Sequence, residues 1–275
     1  MARYQCPLCK ALLTIDDDTK GYTCPQRHHF DRAKEGYLNL LPVQHKHSKA
    51  PGDNKEMLQA RQVFLTAGYY DRLGMAMVDM LKQHCTEQEQ FEMLDLGCGE
   101  GFYSRYLAAH LQKSTPAIYG VDIAKFAIAQ AAKLLPIGHF AVASYLLLPY
   151  PENSFELIIR IFAPSNPEEI TRVLKPNGWL LTVTPGPRHL WQLKALIYPE
   201  VREHPIVTEI DSHFKLIQRT NCAYSITPKR EHRLALLQMT PFAWRANAET
   251  HQKLENAENL EIETDFIMTL TQFTG

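Results

Sequence analysis

The chain has 275 residues, 45% of them hydrophobic, and a formal net charge of −1. That length accommodates one full α/β domain and a small accessory unit, and the charge balance excludes a nucleic-acid binder that works by bulk electrostatics, leaving local patches for any such role. No apolar run approaches the ~20 residues that cross a bilayer. The start, Met1-Ala2-Arg3-Tyr4-Gln5-Cys6, lacks the apolar stretch of a secretory signal. The expectation is a cytosolic protein with no membrane partner, in a reducing compartment where clustered cysteines are metal ligands rather than disulfides.

Residues 1–41 read as a small, loop-rich unit, and residues 42–56 as a polar, basic linker with a turn at Pro51-Gly52. Residues 57–275 form the main domain. Asp53 followed by Glu56 fits an N-cap with its reciprocal acid. The helix that follows carries Met57, Ala60, Phe64 and Leu65 on one side and stops at Gly68. A second helix places Leu73, Met77, Met80 and Leu81 at core spacing. From residue 92 strands alternate with helices: strands at 93–96, 117–123, 140–143, 155–162 and 179–184, helices at 103–111, 126–135 and 168–174. Such alternation predicts a parallel sheet covered on both faces. The tail adds a strand at 215–225, a helix at 233–237 and the alternating 262–270, expected as a closing edge hairpin.

The most informative segment is Asp95-Leu96-Gly97-Cys98-Gly99-Glu100-Gly101, which follows an apolar strand and precedes a helix. Glycines there let the backbone turn sharply and approach a ligand. Asp122 ends the next strand, where a carboxylate can accept ribose hydroxyls. The spacing is Gly-x-Gly-x-Gly, not the Gly-x-Gly-x-x-Gly of hydride-transfer enzymes, and no Lys-Ser/Thr pair follows as in a Walker loop. The pattern resembles the first motif of Rossmann-like class I methyltransferases, which implies a mostly parallel seven-stranded sheet with helices on both faces and S-adenosylmethionine as cofactor. In that class the loop packs against the methionine moiety and the second acid holds the ribose. Ala143-Ser144 falls where the class contacts adenine, and Leu174-Lys175-Pro176-Asn177-Gly178 is the usual turn before the fifth strand.

Cys6-Pro7-Leu8-Cys9 and Cys24-Pro25-Gln26-Arg27-His28 supply ligands for a closed, tetrahedral and therefore structural zinc site, with His29 competing with His28 for the fourth place. Such a site stabilises a module too small to build its own core. Cys85, Cys98 and Cys222 lack partners at ligand spacing and are expected as small buried apolar residues. Around this module Arg27, Arg32, Lys34, Lys46 and Lys49 outnumber Asp31 and Glu35, and Tyr22, Phe30 and Tyr37 offer aromatic faces for an unstacked base or for a small core.

Head and body together resemble the bacterial 23S rRNA (guanine-N1)-methyltransferases of the RlmA type. The marks are the two cysteine turns, Lys34-Glu35-Gly36-Tyr37, Leu40-Leu41-Pro42-Val43-Gln44-His45-Lys46, Thr184-Pro185-Gly186-Pro187-Arg188-His189-Leu190 and Leu237-Gln238-Met239-Thr240-Pro241-Phe242-Ala243-Trp244. The resemblance implies zinc ligands at Cys6, Cys9, Cys24 and His28. It implies cofactor contacts at Tyr70, Gly99, Glu100 and His189, beside Asp95, Gly97 and Asp122 of the loop and second strand. It further implies methylation of a guanine N1 in a 23S rRNA hairpin by a homodimer whose zinc modules grip RNA.

Target chemistry agrees. Phe162-Ala163-Pro164-Ser165 stands where exocyclic-amine methyltransferases carry Asn/Asp-Pro-Pro-Tyr/Phe, and no cysteine lies between Cys98 and Cys222 to serve as a pyrimidine-C5 nucleophile. Arg160 could stabilise charge developing on the base, or form a structural salt bridge. No residue stands out as the general base that guanine N1 invites. Two other readings share parts of the pattern: a small-molecule methyltransferase of the quinone type, and a non-catalytic zinc-dependent RNA-binding protein. The first has no use for a zinc head with basic flanks, and the second none for an intact Asp95 loop with Asp122.

Overall fold

The computed structural model describes residues 3–16, 20–42, 54–85, 90–111 and 115–275. The head begins with three very short strands, β1 (Thr14–Asp16), β2 (Gly21–Thr23) and β3 (His29–Phe30), paired antiparallel in that order. Strands of two or three residues bury too little to be stable alone. The chain then leaves this small sheet. β4 (Leu38–Asn39) pairs in parallel with β7 (His139–Val142) of the body, Leu38 opposite Ala141 and Asn39 opposite Val142.

Helix α1 (Lys55–Thr66) is capped by Asn54, whose side-chain oxygen accepts the Met57 N–H at 2.8 Å. The cap is therefore Asn54 and not Asp53, which lies outside the described residues; residues 43–52 of the expected linker 42–56 lie there too, while Lys55 and Glu56 of that stretch fall in the helix. The helix buries Leu58, Ala60, Phe64 and Leu65, while Met57 stays half-buried beside a cavity. Gly68 ends the segment with φ +83°, a conformation that only glycine adopts without strain. α2 (Asp71–His84) buries Leu73, Met77, Val78, Met80 and Leu81.

The body runs β5 (Gln90–Leu96), α3 (Phe102–His110), β6 (Thr115–Asp122), α4 (Lys125–Leu134), β7, β8 (Phe155–Ile161), α5 (Pro167–Val173) and β9 (Leu174–Pro185). β5 lies between β6 and β8, all parallel, so the strand order reverses beside β5. Open α/β sheets hold ligands at such a switch point. The period of two is plain: Met93, Ile118, Leu157 and Ile159 enter one core, while Leu94, Tyr119 and Ile158 enter the other. Burial on both faces is what makes these strands read as continuous apolar runs.

The two faces are covered differently. Helices α2, α3, α4, α6 (Trp191–Ala195) and α7 (Arg230–Gln238) contribute to one core. On the other, α5 shares the cover with the zinc module, whose Tyr4, Cys6, Leu13 and Cys24 pack into the core with Leu96, Tyr150 and Ile158. Helices thus lie on both faces, as expected, and the head completes the cover of the second.

Beyond β9 the chain forms α6, β10 (Phe214–Ile226), α7, a 3-10 turn (Pro241–Arg245), α8 (Ala248–Asn256) and β11 (Ile262–Phe273). The sheet order is β10-β11-β9-β8-β5-β6-β7-β4: seven strands from the body, as expected, and an eighth from the head. β11 is not the edge. It pairs antiparallel with both β9 and β10, leaving β10 outermost. The polar residues Thr264, Asp265 and Thr271 of β11 are buried, where an edge strand would leave polar residues half-exposed. Among the described residues no helix is long and apolar enough to cross a membrane.

Candidate cofactor cavity and metal centre

A cavity of about 600 Å³ opens at the carboxyl ends of the parallel strands, within the size range of small-molecule sites. Its floor is the loop after β5. Gly97, Gly99 and Gly101 all lie in the left-handed region, at φ +75°, +55° and +73°. At Gly97 the reason is also steric: a Cβ there would sit 2.4 Å from the Cβ of Ala163, on the segment leaving β8. The loop is pinned from below, since the Gly97 and Cys98 N–H groups both donate to the Val121 carbonyl.

Two acids flank the loop. Asp95, at the end of β5, is buried and accepts a 2.6 Å hydrogen bond from the Ser104 hydroxyl on α3. Burial pushes its carboxyl up to about 7, against the Ser104 bond, with Asp122 and Glu100 adding to the rise. Asp122, at the end of β6, accepts the Gly99 N–H at 3.0 Å and the Ala124 N–H at 2.8 Å. These bonds hold a carboxylate at the cavity wall and join the loop to the start of α4.

The other expected residues reach the same cavity from distant parts of the chain. Tyr70 enters from the start of α2, its ring edge-on to Phe64 at 5.2 Å and to Phe266 at 4.9 Å. His189, in the turn before α6, is buried and its Nδ1 accepts the Asp265 N–H at 3.2 Å. That bond assigns the imidazole proton to Nε2. Burial pushes His189 down to about 3, helped by His204 and Lys194, so the ring is neutral at physiological pH and acts as a donor rather than a base. Tyr70, Asp95, Gly97, Gly99, Glu100, Asp122 and His189 all line this one cavity.

Buried polar atoms are normally paired. The Tyr70 hydroxyl and Glu100 Oε1 are not, having no hydrogen-bond partner among the described residues. A donor and an acceptor orphaned at the wall of this cavity fit a ligand that itself carries polar groups, such as the amino-acid end of S-adenosylmethionine. Sequence reasoning missed Arg61, His204 and the run Met239–Phe242, which also line the cavity. The last lies inside a stretch that carried the family resemblance without a role. Arg160 takes neither of its expected parts: it lies outside the lining, and among the described residues it donates to the Ser165 and Thr182 hydroxyls rather than to a carboxylate.

In the head, the ligand atoms of Cys6, Cys9, Cys24 and His28 all lie within 4.8 Å of one another. Each cysteine turn is closed by a backbone hydrogen bond to the carbonyl of its first cysteine. Lys10 N–H donates to the Cys6 carbonyl and Arg27 N–H to the Cys24 carbonyl, both residues at φ near +60°. His28 Nδ1 stands 3.4 Å from the sulfurs of Cys6 and Cys24, and the Cys9 and Cys24 sulfurs are 3.6 Å apart. A zinc tetrahedron with Zn–S of about 2.3 Å has edges of roughly 3.7 Å, so the spacing fits that ion. His29 turns away, towards Asp31 at 3.1 Å. Of the remaining cysteines only Cys98 is fully buried; Cys85 and Cys222 are half-buried.

The head is fastened to the body by more than β4. Tyr4 stacks on Tyr150 at 5.6 Å and the Gln5 N–H donates to the Pro149 carbonyl at 2.8 Å. Ala143, just past β7, lines the cavity, so the strand that receives the head also ends at the site.

Comparison with known proteins agrees with both halves. Residues 4–49 match the RlmA N-terminal family and residues 93–178 match a methyltransferase domain family. Fold and site define a class I S-adenosylmethionine-dependent methyltransferase carrying an N-terminal Cys3His zinc ribbon. Over 263 residues the chain is 30% identical to a protein of Micromonospora griseorubida provisionally named a 23S rRNA (guanine-N1)-methyltransferase, covering 88% of this chain and 87% of that one. It is 29% identical to the 23S rRNA (guanine(748)-N1)-methyltransferase of Streptomyces fradiae, over 89% and 87% of the two chains. It is 28% identical to YxjB of Bacillus subtilis, another protein provisionally given the 23S rRNA (guanine-N1)-methyltransferase name, over 95% and 94%. The chain belongs to the 23S rRNA (guanine-N1)-methyltransferase family.

Proposed function

We propose that the protein transfers a methyl group from S-adenosylmethionine to N1 of a guanine in a hairpin of 23S rRNA. The observation that carries this reading is the joining of the two sites in one sheet: the zinc ribbon adds β4 to the carboxyl end of β7, the end that borders the glycine-loop cavity. A small-molecule enzyme has no need of that attachment.

The cofactor would be held by Tyr70, Asp95, Gly97, Gly99, Glu100, Asp122 and His189, and when bound its sulfonium supplies the electrophilic methyl group. Asp122 is fixed by two backbone N–H groups where it can accept from ribose hydroxyls. The Tyr70 hydroxyl and the His189 Nε2–H serve as donors, and Glu100 as an acceptor. With its Nδ1 already engaged, His189 does not take the guanine N1 proton. Methyl transfer is an in-line displacement, so these residues act mainly by positioning. A zinc ion on Cys6, Cys9, Cys24 and His28 would have no open position and would be structural. The head, residues 1–41, would grip RNA for the catalytic domain, residues 57–275. Assembly as a homodimer in the cytosol is part of the proposal, and light scattering on the purified protein checks the mass.

Primer extension on unmodified 23S rRNA incubated with the protein and S-adenosylmethionine tests the reaction. N1-methylguanine blocks Watson–Crick pairing, so one enzyme-dependent stop at a hairpin guanine is expected. Methyl incorporation without such a stop would move the target atom, and none at all would reject RNA as the substrate.

A further inference from the structure

β8 ends in an unusual way. Phe162, the first residue beyond it, has φ +54°, a left-handed conformation that a bulky aromatic residue rarely adopts. Its side chain is 46% exposed, although Ile158 and Ile159 just before it are fully buried. Strained residues of this kind persist only where their surroundings over-determine them, and they cluster at ligand sites.

Two contacts supply that constraint. The Phe162 N–H donates to the Val183 carbonyl at 3.1 Å, tying the turn to β9. The next residue, Ala163, fills the space that a Cβ on Gly97 would need. The glycine therefore lets the exit of β8 cross the cofactor loop, and the left-handed turn sets the Phe162 ring on the cavity wall. There the ring lies 5.5 Å from the His189 ring at 36°, and 6.0 Å from Phe266. Its remaining face is apolar and open.

We infer that Phe162 is the platform on which the target base stacks, a substrate-positioning role that rests on the function proposed above. A phenyl face recognises a planar π-system and carries no hydrogen-bonding groups, so it takes a purine flipped out of its hairpin and orients it without identifying it. The fold spends a disfavoured backbone conformation on exposing this ring, which core packing alone would have no reason to do.

The test compares Phe162→Ala, Phe162→Tyr and Phe162→Gly in the full chain, with N1-methylguanine formation on 23S rRNA and calorimetric S-adenosylmethionine binding as separate readouts. Phe162→Ala is expected to lower kcat/KM for RNA by about tenfold or more, the scale of a lost base–aromatic stack, with cofactor affinity within about twofold of wild type. Phe162→Tyr, which keeps the π-face, should stay within about threefold of wild-type activity. Phe162→Gly should melt no lower than Phe162→Ala, because glycine accepts this φ freely, yet methylate no faster. An active wild type with an equally active Phe162→Ala overturns the platform alone. A parallel loss of cofactor affinity in Phe162→Ala also overturns it, by making the ring a wall of the cofactor site. A wild type that forms no N1-methylguanine is a distinct result, and rejects the underlying function together with the platform.

Discussion

The head and the cavity hold their polar groups in place by opposite means. Asp95 and Asp122 stand at the ends of strands locked inside an eight-stranded sheet, and backbone and hydroxyl donors fix their carboxylates. The ligands of the head hang on turns beside strands of two or three residues, and Cys6, Cys9, Cys24 and His28 are themselves much of what joins those turns. In the body the fold makes the site. In the head the site makes the fold.

The largest expected effect breaks this contrast open. Cys24→Ser, or stripping of metal with a strong chelator, should cost the head most of its order, since structural zinc binding is worth about 10–16 kcal/mol in small modules. Hydrogen exchange should show protection lost across residues 4–40, and RNA methylation should fall by about a hundredfold. S-adenosylmethionine affinity should change by less than about threefold. A cofactor affinity that falls in step with methylation would show head and cavity to be one cooperative unit.

In the body the corresponding weak point is a missing atom. Gly97→Ala combines the left-handed φ with a Cβ driven against Ala163. Strain of about 1–2 kcal/mol and overpacking of about 1–3 kcal/mol should together lower stability in denaturant titration and weaken cofactor binding, while zinc content stays stoichiometric.

His189 supplies a pH signature belonging to the body alone. Unfolded, it takes up a proton below about pH 6.5, whereas the folded ring resists until about pH 3. Its contribution to stability is therefore complete above pH 6.5 and is lost as pH falls towards 3. Unfolding of wild type against His189→Gln should show the wild type losing about 1.4 kcal/mol more per pH unit between about pH 6 and 4. Comparing the two proteins cancels acid release of zinc. Equal slopes would mean that the ring is not buried neutral. The smallest effect lies where the body begins: Asn54→Ala should cost about 1 kcal/mol through the lost N-cap, with methylation unaffected at saturating substrates.

Much of this arrangement was legible in the sequence because its causes are local. The alternation from β5 to β9, the glycine loop and the second acid depend on periodicity and on a turn that few residues permit. The paired cysteine turns carry their own spacing. The edges were less legible. β11 looked like an outer strand because Glu263, Thr264, Asp265 and Thr269 are interspersed with apolar residues, but β10 covers it, and Thr264 and Asp265 are buried within the fold. Helices α6 and α8 were not anticipated, being five and nine residues long and shaped by packing more than by propensity. Between His28 and His29 spacing alone left two answers, and the orientation of each ring separates them.

The sequence by itself therefore determined the class of the body, the donor set of the head and the likeness that joins them, since each is written in short segments whose chemistry tolerates few residues. Only the tertiary structure decided how Tyr70 and His189 reach the loop's cavity, that the head supplies an eighth strand and covers part of a sheet face, and that Phe162 is held exposed at the cavity wall. Those facts join residues tens to more than a hundred positions apart, and what places such residues together is the packing of strands and helices, which no local pattern encodes.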